Sequence, residues 1–218
     1  VPSRAAKWLA VGAARTIVAM DFVLPLVPRG LELVAGRGHY ERVIEAVLAA
    51  KRSVWIATAN LKELMVEAPV QMPGRKRDYR SVLELFEPLV ARGVELRILH
   101  ASLPSRPFRD EFDRHPRLVQ GGLELRMCPR VHLKTVIIDA ELVYLGSANW
   151  TGAGLGAKGE GRRNFELGIV SDDEQLLDQV QAMYDAIWRG EPCAGCKLRE
   201  SCEAPLCDAE QATRGEQG

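Results

Sequence analysis

His132 and Lys134 are separated by one residue in the run His132-Leu133-Lys134-Thr135-Val136-Ile137-Ile138-Asp139, and Gly146-Ser147-Ala148-Asn149 follows shortly after it. Side chains alternate along a strand. His132 and Lys134 would therefore share a face roughly 6–7 Å apart, and Ser147 and Asn149 would share one too. The residue types suit a phosphate. Lys134 offers a point charge to a phosphate oxygen, Asn149 an amide donor, Ser147 a hydroxyl, and Gly146 a close backbone approach. His132 offers a nitrogen that can attack phosphorus or carry a proton near neutral pH. No carboxylate cluster accompanies these groups, so the pattern does not imply a catalytic divalent metal.

A hairpin would bring the two segments together. If Ala140 and Glu141 form a two-residue loop, Asp139 pairs with Leu142, Lys134 faces Ser147 and His132 faces Asn149. An even loop length keeps the four side chains on one face, and an odd one flips them. The strands are apolar on both sides elsewhere (Val136, Ile137, Ile138, Val143, Tyr144, Leu145), which predicts an interior hairpin with a polar end. A lone His-x-Lys at a strand start is ordinarily a solvated edge. The added Gly-Ser-x-Asn sets this one apart.

The elements that must position this hairpin are readable along the chain. The spacing of Val43, Ile44, Val47 and Leu48 predicts a helix over 39–50, and Val82, Leu83, Leu85, Phe86 and Leu89 predict another over 79–91, stopped by Gly93. Strands are predicted at 53–58, 95–100, 123–127, 134–139, 142–147 and 165–170, a short helix at 108–117, and a final helix over 173–188 ended by Gly190. An N-terminal helix from Trp8 to Met20 and a strand over 22–27 precede them. Residues 71–78 form a basic Gly/Pro loop and 152–163 a Gly-rich basic loop. Strands alternating with helices predict an α/β sandwich with helices on both sheet faces. The tail after Gly190 changes character, giving a division into 1–190 and 191–218.

The segment from His132 to Asn149 resembles the signature motif of the phospholipase D superfamily, and Asn164-Phe165-Glu166 resembles the Asn-x-Glu that follows it there. The resemblance implies a phospholipase D-like sandwich with a central mixed β-sheet. It implies that His132 is the nucleophile of a phosphohistidine intermediate or its partner acid, that Lys134 and Asn149 hold the phosphate, and that Glu166 orients the imidazole. Ser147 would support the phosphate or Glu166. Asp139 completes the motif from the far end of the strand, near the turn, where its role is structural. The superfamily mechanism uses two histidines, but none of His39, His100 and His115 is followed two residues later by Lys. One motif per chain implies a homodimer with two His132 side chains facing one phosphate. The alternatives are a monomer with another acid, or an inactive protein.

A second pattern lies in the tail. Cys193, Cys196, Cys202 and Cys207 fall in one short stretch, a spacing that suits thiolate coordination of zinc or a 4Fe-4S iron–sulfur cluster, the latter favoured. The other reading is two disulfides, which need an oxidising compartment. Cys128 stands alone and reads as a small buried residue.

Composition limits the substrate classes. Apolar residues make up 47% of the 218, charged residues 27% and aromatics 6%, with a formal net charge of zero. No global field draws the chain to nucleic acid or anionic lipid, and no base-stacking platform is evident. Recognition must come from local clusters: Arg75, Lys76, Arg77 and Arg80, and, overhanging the site, Lys158, Arg162 and Arg163. Basic loops at such a site predict a polyanion such as nucleic acid. A phospholipase or phosphatidyl transferase acting on membrane phospholipid is the alternative, and a non-catalytic nucleic-acid-binding module the third reading. Arg15, Asp21 and two prolines interrupt the apolar N-terminal stretch and argue against a membrane span, so a cytoplasmic location is expected.

Overall fold

In the computed structural model, the described residues are 30–67 and 78–208. The predicted N-terminal helix and the strand at 22–27 lie outside them, as do Arg75, Lys76 and Arg77.

A seven-stranded sheet organises the chain, in the order β1-β9-β8-β7-β2-β5-β6. Its strands are β1 (Leu31–Ala35), β2 (Ser53–Thr58), β5 (Glu95–His100), β6 (Leu123–Met127), β7 (Lys134–Ile138), β8 (Leu142–Gly146) and β9 (Leu167–Ser171). β2, β5 and β6 run parallel, while β7, β8, β9 and β1 are joined antiparallel, so the sheet is mixed as expected. A two-stranded sheet of β3 (Met65–Glu67) and β4 (Tyr79–Ser81) sits apart from it.

The central strands are apolar on both sides because both faces are covered. Val54, Ile56, Ile98, Val136, Tyr144 and Val170 pack with Val43, Ile44 and Val47 of the helical segment that runs through α1 (Glu45–Leu48), and with Leu83, Phe86 and Leu89 of α2 (Val82–Ala91). Ala57, Leu99, Ile137 and Val143 pack on the other face with Leu177, Tyr184 and Trp188 of α4 (Glu174–Trp188). Each fully buried side chain of this size contributes about 1.5–3 kcal/mol. A short α3 (Arg106–Phe112) follows β5. Helix starts follow ordinary chemistry: Ser81 accepts from Leu83 N at 3.1 Å, and Asp173 accepts from Leu176 N at 3.0 Å. Ser81 therefore starts α2 at Val82, three residues later than its apolar spacing suggests.

The tail folds back onto the domain. Leu206 is buried in the α4-side core, and a Cβ on Gly190 would meet the backbone of Cys207 at 2.2 Å. The cysteines do not form the expected zinc or iron–sulfur site. Among the described residues no group of three or more His, Cys, Asp or Glu side chains is arranged to hold a metal ion, and all five cysteines are free thiols. Cys207 Sγ donates to Asp208 Oδ1 at 3.4 Å. Short 3-10 turns at Glu191–Cys193 and Arg199–Ser201 separate the thiols along the tail, and the tail's anchor is Leu206 rather than a metal.

Candidate active site

One end of the sheet collects the C-terminal ends of β2, β5 and β8 and the N-terminal ends of β7 and β9. Lys134 opens β7 there, paired with Thr58 on β2. His132 precedes the strand and is exposed. The Lys134 Nζ lies 3.1 Å from His132 Nδ1, 3.2 Å from its Nε2 and 2.8 Å from its carbonyl oxygen. Partial burial lowers the Lys134 pKa, with the charge of Glu166 acting the other way.

The hairpin register differs from the expected one. Ile138 pairs with Leu142, leaving three residues in the loop, so the ladder extends to Lys134 opposite Gly146 rather than Ser147. The cause is local. Asp139 and Ala140 both take left-handed φ, at 56° and 54°, and Glu141 N donates to Ile138 O at 2.9 Å. A left-handed alanine costs about 1 kcal/mol, and no residue type announces it. Asp139 holds the turn in place. Its carboxylate accepts from Lys51 N at 2.9 Å, Arg52 N at 2.7 Å and Ser53 N at 2.9 Å. Burial opposes its charge, but these N–H groups win and hold its pKa below the usual value. Asp139 thus ties the β7–β8 turn to the start of β2, about 16 Å along β7 from Lys134. The structure does not bring it to the other motif residues.

Strand alternation therefore does not converge the polar groups; near the ladder's end they stand as separate hydrogen-bonded sets, His132 with Lys134, Glu166 with Ser147 and Asn164, and Asn149 with Thr58 and Asn60. Ser147 N continues toward β9, donating to Leu167 O at 3.0 Å, and Ser147 Oγ donates to Glu166 Oε2 at 2.5 Å. Asn164 Nδ2 donates to the other oxygen, Glu166 Oε1, at 3.1 Å. No hydrogen bond joins Glu166 to His132 among the described residues; the contacts of the ring are with Lys134. Asn149 Oδ1 accepts from Asn60 N at 3.1 Å and from Thr58 Oγ1 at 3.3 Å, which leaves its amide N–H groups as the donors available to an anion. Thr58 also accepts from Trp150 N at 2.9 Å. Nothing in the residue pattern marks this threonine, because a threonine in a strand is ordinary.

Gly146 and Gly168 are paired across β8 and β9, and their glycine identity has a steric reason. The ring of Tyr144 lies across both. A Cβ would stand 2.3 Å from its Oη at Gly146 and 2.3 Å from its Cε2 at Gly168. The Tyr144 hydroxyl accepts from Ala148 N at 3.4 Å, and its pKa is pushed up to about 12, chiefly by burial. Behind it His39 packs edge-on at 5.6 Å, fully buried, with Nδ1 on Gly36 O at 3.3 Å and Nε2 without a partner.

Two cavities flank the site. One, of about 380 Å³, is lined by His132 together with Val131, Leu133, Met183, Ile187 and Pro192. The other, of about 370 Å³, takes in Lys158 and Arg163 of the Gly-rich loop; Arg162 lies outside it.

A family model described as "Cardiolipin synthase, PLD-like domain" matches residues 43–188. The chain belongs to this family. Its PLD-like domain is similar to part of cardiolipin synthase A from Pseudomonas putida (strain W619), 30% identical over 147 residues that cover 64% of this chain and 26% of that protein. Cardiolipin synthase A from Pseudomonas syringae pv. syringae (strain B728a) is 30% identical over 150 residues, covering 66% and 26%. The chain thus spans about a quarter of the length of these curated relatives. Among solved structures, NucT from Helicobacter pylori is similar in fold, with a TM-score of 0.50 at 16% identity over 71% of this chain and 92% of that one. Among the described residues of this PLD-like chain, no helix is long and apolar enough to cross a membrane.

Proposed function

We propose that this chain is a phosphodiesterase that cuts nucleic-acid backbones through a phosphohistidine intermediate, acting as a homodimer. The observation that carries it is the contact of the Lys134 ammonium with the His132 ring, 3.1 Å from Nδ1, at the sheet end where Ser147 and Asn164 hold Glu166. The lone pair of a His132 ring nitrogen attacks phosphorus, forming an N–P bond as the bond to the leaving oxygen breaks. Lys134 and the Asn149 amide neutralise the non-bridging oxygens. The leaving oxygen takes its proton from the imidazole of a second copy; water then gives a proton back to that imidazole as its oxygen attacks phosphorus, and the N–P bond breaks to release His132. Ser147 and Asn164 fix Glu166, which acts on the imidazole once substrate displaces the Lys134 contact. A second copy is also favoured by exposed apolar residues beside the site: Leu33 at 72%, Phe165 at 107% and Leu167 at 56% exposure.

A phospholipid substrate is the second reading. The apolar cavity at His132 favours it, since Val131, Leu133, Met183 and Ile187 could receive an acyl chain, and the family description points the same way. Labelled DNA, RNA and phospholipid vesicles, each incubated with the protein in EDTA, separate the two. Cleavage of an oligonucleotide is the expected result. Headgroup release without nucleic-acid cleavage would replace the first reading with the second.

A further inference from the structure

The basic cavity beside the site is built by contact between two separate segments. Gly156, at φ 70°, lies so close to Gly36 that a Cβ there would stand 2.4 Å from Gly36 O. Only glycine allows that approach. The Gly-rich loop is thereby laid against Gly36 and Arg37, with Lys158 N bonded to Gly152 O at 3.0 Å. The cavity that results, about 370 Å³, is lined by Arg37, Lys158 and Arg163 against Glu41 and Glu67, with Tyr79 at its edge. Arg37 is already engaged, 2.7 Å from Glu67 and 3.9 Å from Glu41. Lys158 and Arg163 form no ion pair among the described residues. Two cations thus face an open space, while the carboxylates there hold a third.

The cavity is tied to the candidate site through the chain. Arg163 precedes Glu166 by three residues, at most about 10 Å of chain, and Asn164 between them bonds Glu166 directly. We infer that this cavity binds a second phosphate of a nucleic-acid strand, on the Glu166 side of the phosphate at His132, with Lys158 and Arg163 as its ligands. The inference rests on the nucleic-acid reading and gives it a polarity: the strand leaves the site over β9 toward the Gly-rich loop, away from the apolar cavity under α4. A diester with a single phosphate fills only the first position.

The test uses the full chain carrying His132→Asn, which removes cleavage from the measurement. Binding of a labelled single-stranded oligonucleotide is followed as salt is raised. Adding Lys158→Ala and Arg163→Ala is expected to weaken binding about ten-fold and to lower the salt slope by about 1.4, the value for two lost phosphate contacts on a single strand. Arg92→Ala with Arg109→Ala removes the same charge from exposed positions outside the cavity and is expected to change affinity less than two-fold. Arg163→Lys keeps a charge at the position, and partial recovery relative to Arg163→Ala guards against a folding defect. Equal weakening by the control pair, or an unchanged slope in the cavity variant, overturns the inference while leaving the phosphodiesterase reading intact. Absence of oligonucleotide binding by every form, with binding to cardiolipin vesicles instead, overturns the nucleic-acid reading itself.

Discussion

Ser147 and Glu166 are joined by a hydrogen bond of 2.5 Å from hydroxyl to carboxylate across a gap of 19 residues. That bond and the one from Asn164 anchor one carboxylate oxygen each. Ser147→Ala leaves Glu166 with one anchor and should lower kcat about ten-fold. Glu166→Gln removes the charge and should lower kcat about 100-fold, the range seen when partners of a working histidine are lost. Steady-state kinetics on a diester substrate check this, with KM expected to move much less than kcat.

Gly168→Ala should destabilise the fold by about 1–3 kcal/mol, because the added methyl meets the Tyr144 ring at 2.3 Å and Tyr144 is packed in the core. Urea denaturation measures it. Tyr144→Leu in the same chain should recover part of the loss, since the obstructing ring is then gone.

Asp139→Asn should cost about 2 kcal/mol through its charged hydrogen bonds to the backbone of residues 51–53. The sign with pH follows from its lowered pKa. The folded carboxyl releases its proton more readily than the unfolded one, so its stabilisation is present above the unfolded value of 3.8 and is lost as pH falls through the folded value. His39 and His100 act in a higher window. Burial lowers both from 6.5, so the unfolded chain takes up protons first and stability falls as pH drops below 6.5. Denaturation midpoints at pH 7.5 and 5.5 should differ, and His39→Phe should shrink the difference.

Much of this molecule was readable in its residues. β2, β5 and β6 occupy the predicted spans, because the apolar run of β2 and the alternating or mixed apolar positions of β6 and β5, each bounded by turns, suit a strand. α4 ends at Trp188 and is capped by Asp173, both visible in the sequence. The edge strand β1 and the small β3–β4 sheet were not foreseen. Leu31–Ala35 lacks a hydrophobic alternation of its own and is held by pairing with β9. The hairpin register was misread by one residue, since the left-handed Ala140 is imposed by Asp139 and the backbone at 51–53 rather than by turn chemistry. The motif residues were readable as types, and their contacts were not: Thr58 reaches Asn149 only because β2 and β7 are neighbours. The cysteine spacing misled, because a pattern of thiols says nothing of whether the turns between them point inward.

Leu33→Asp should convert a dimer to a monomer and reduce activity at least ten-fold at equal protein concentration, if the exposed face of β1 and β9 meets a second copy. Light scattering reports the mass and the same sample reports the rate. A monomeric mass for the unmodified protein at full activity would remove the second imidazole from the mechanism.

The central claim is that the imidazole of His132 attacks phosphorus. Its most direct test is the rate of diester hydrolysis by His132→Asn, a side chain of similar size that keeps a donor but no attacking ring nitrogen. The account expects a fall of about 1,000-fold or more, with Lys134→Ala also strongly impaired. Hydrolysis by His132→Asn within ten-fold of the unmodified protein would contradict it.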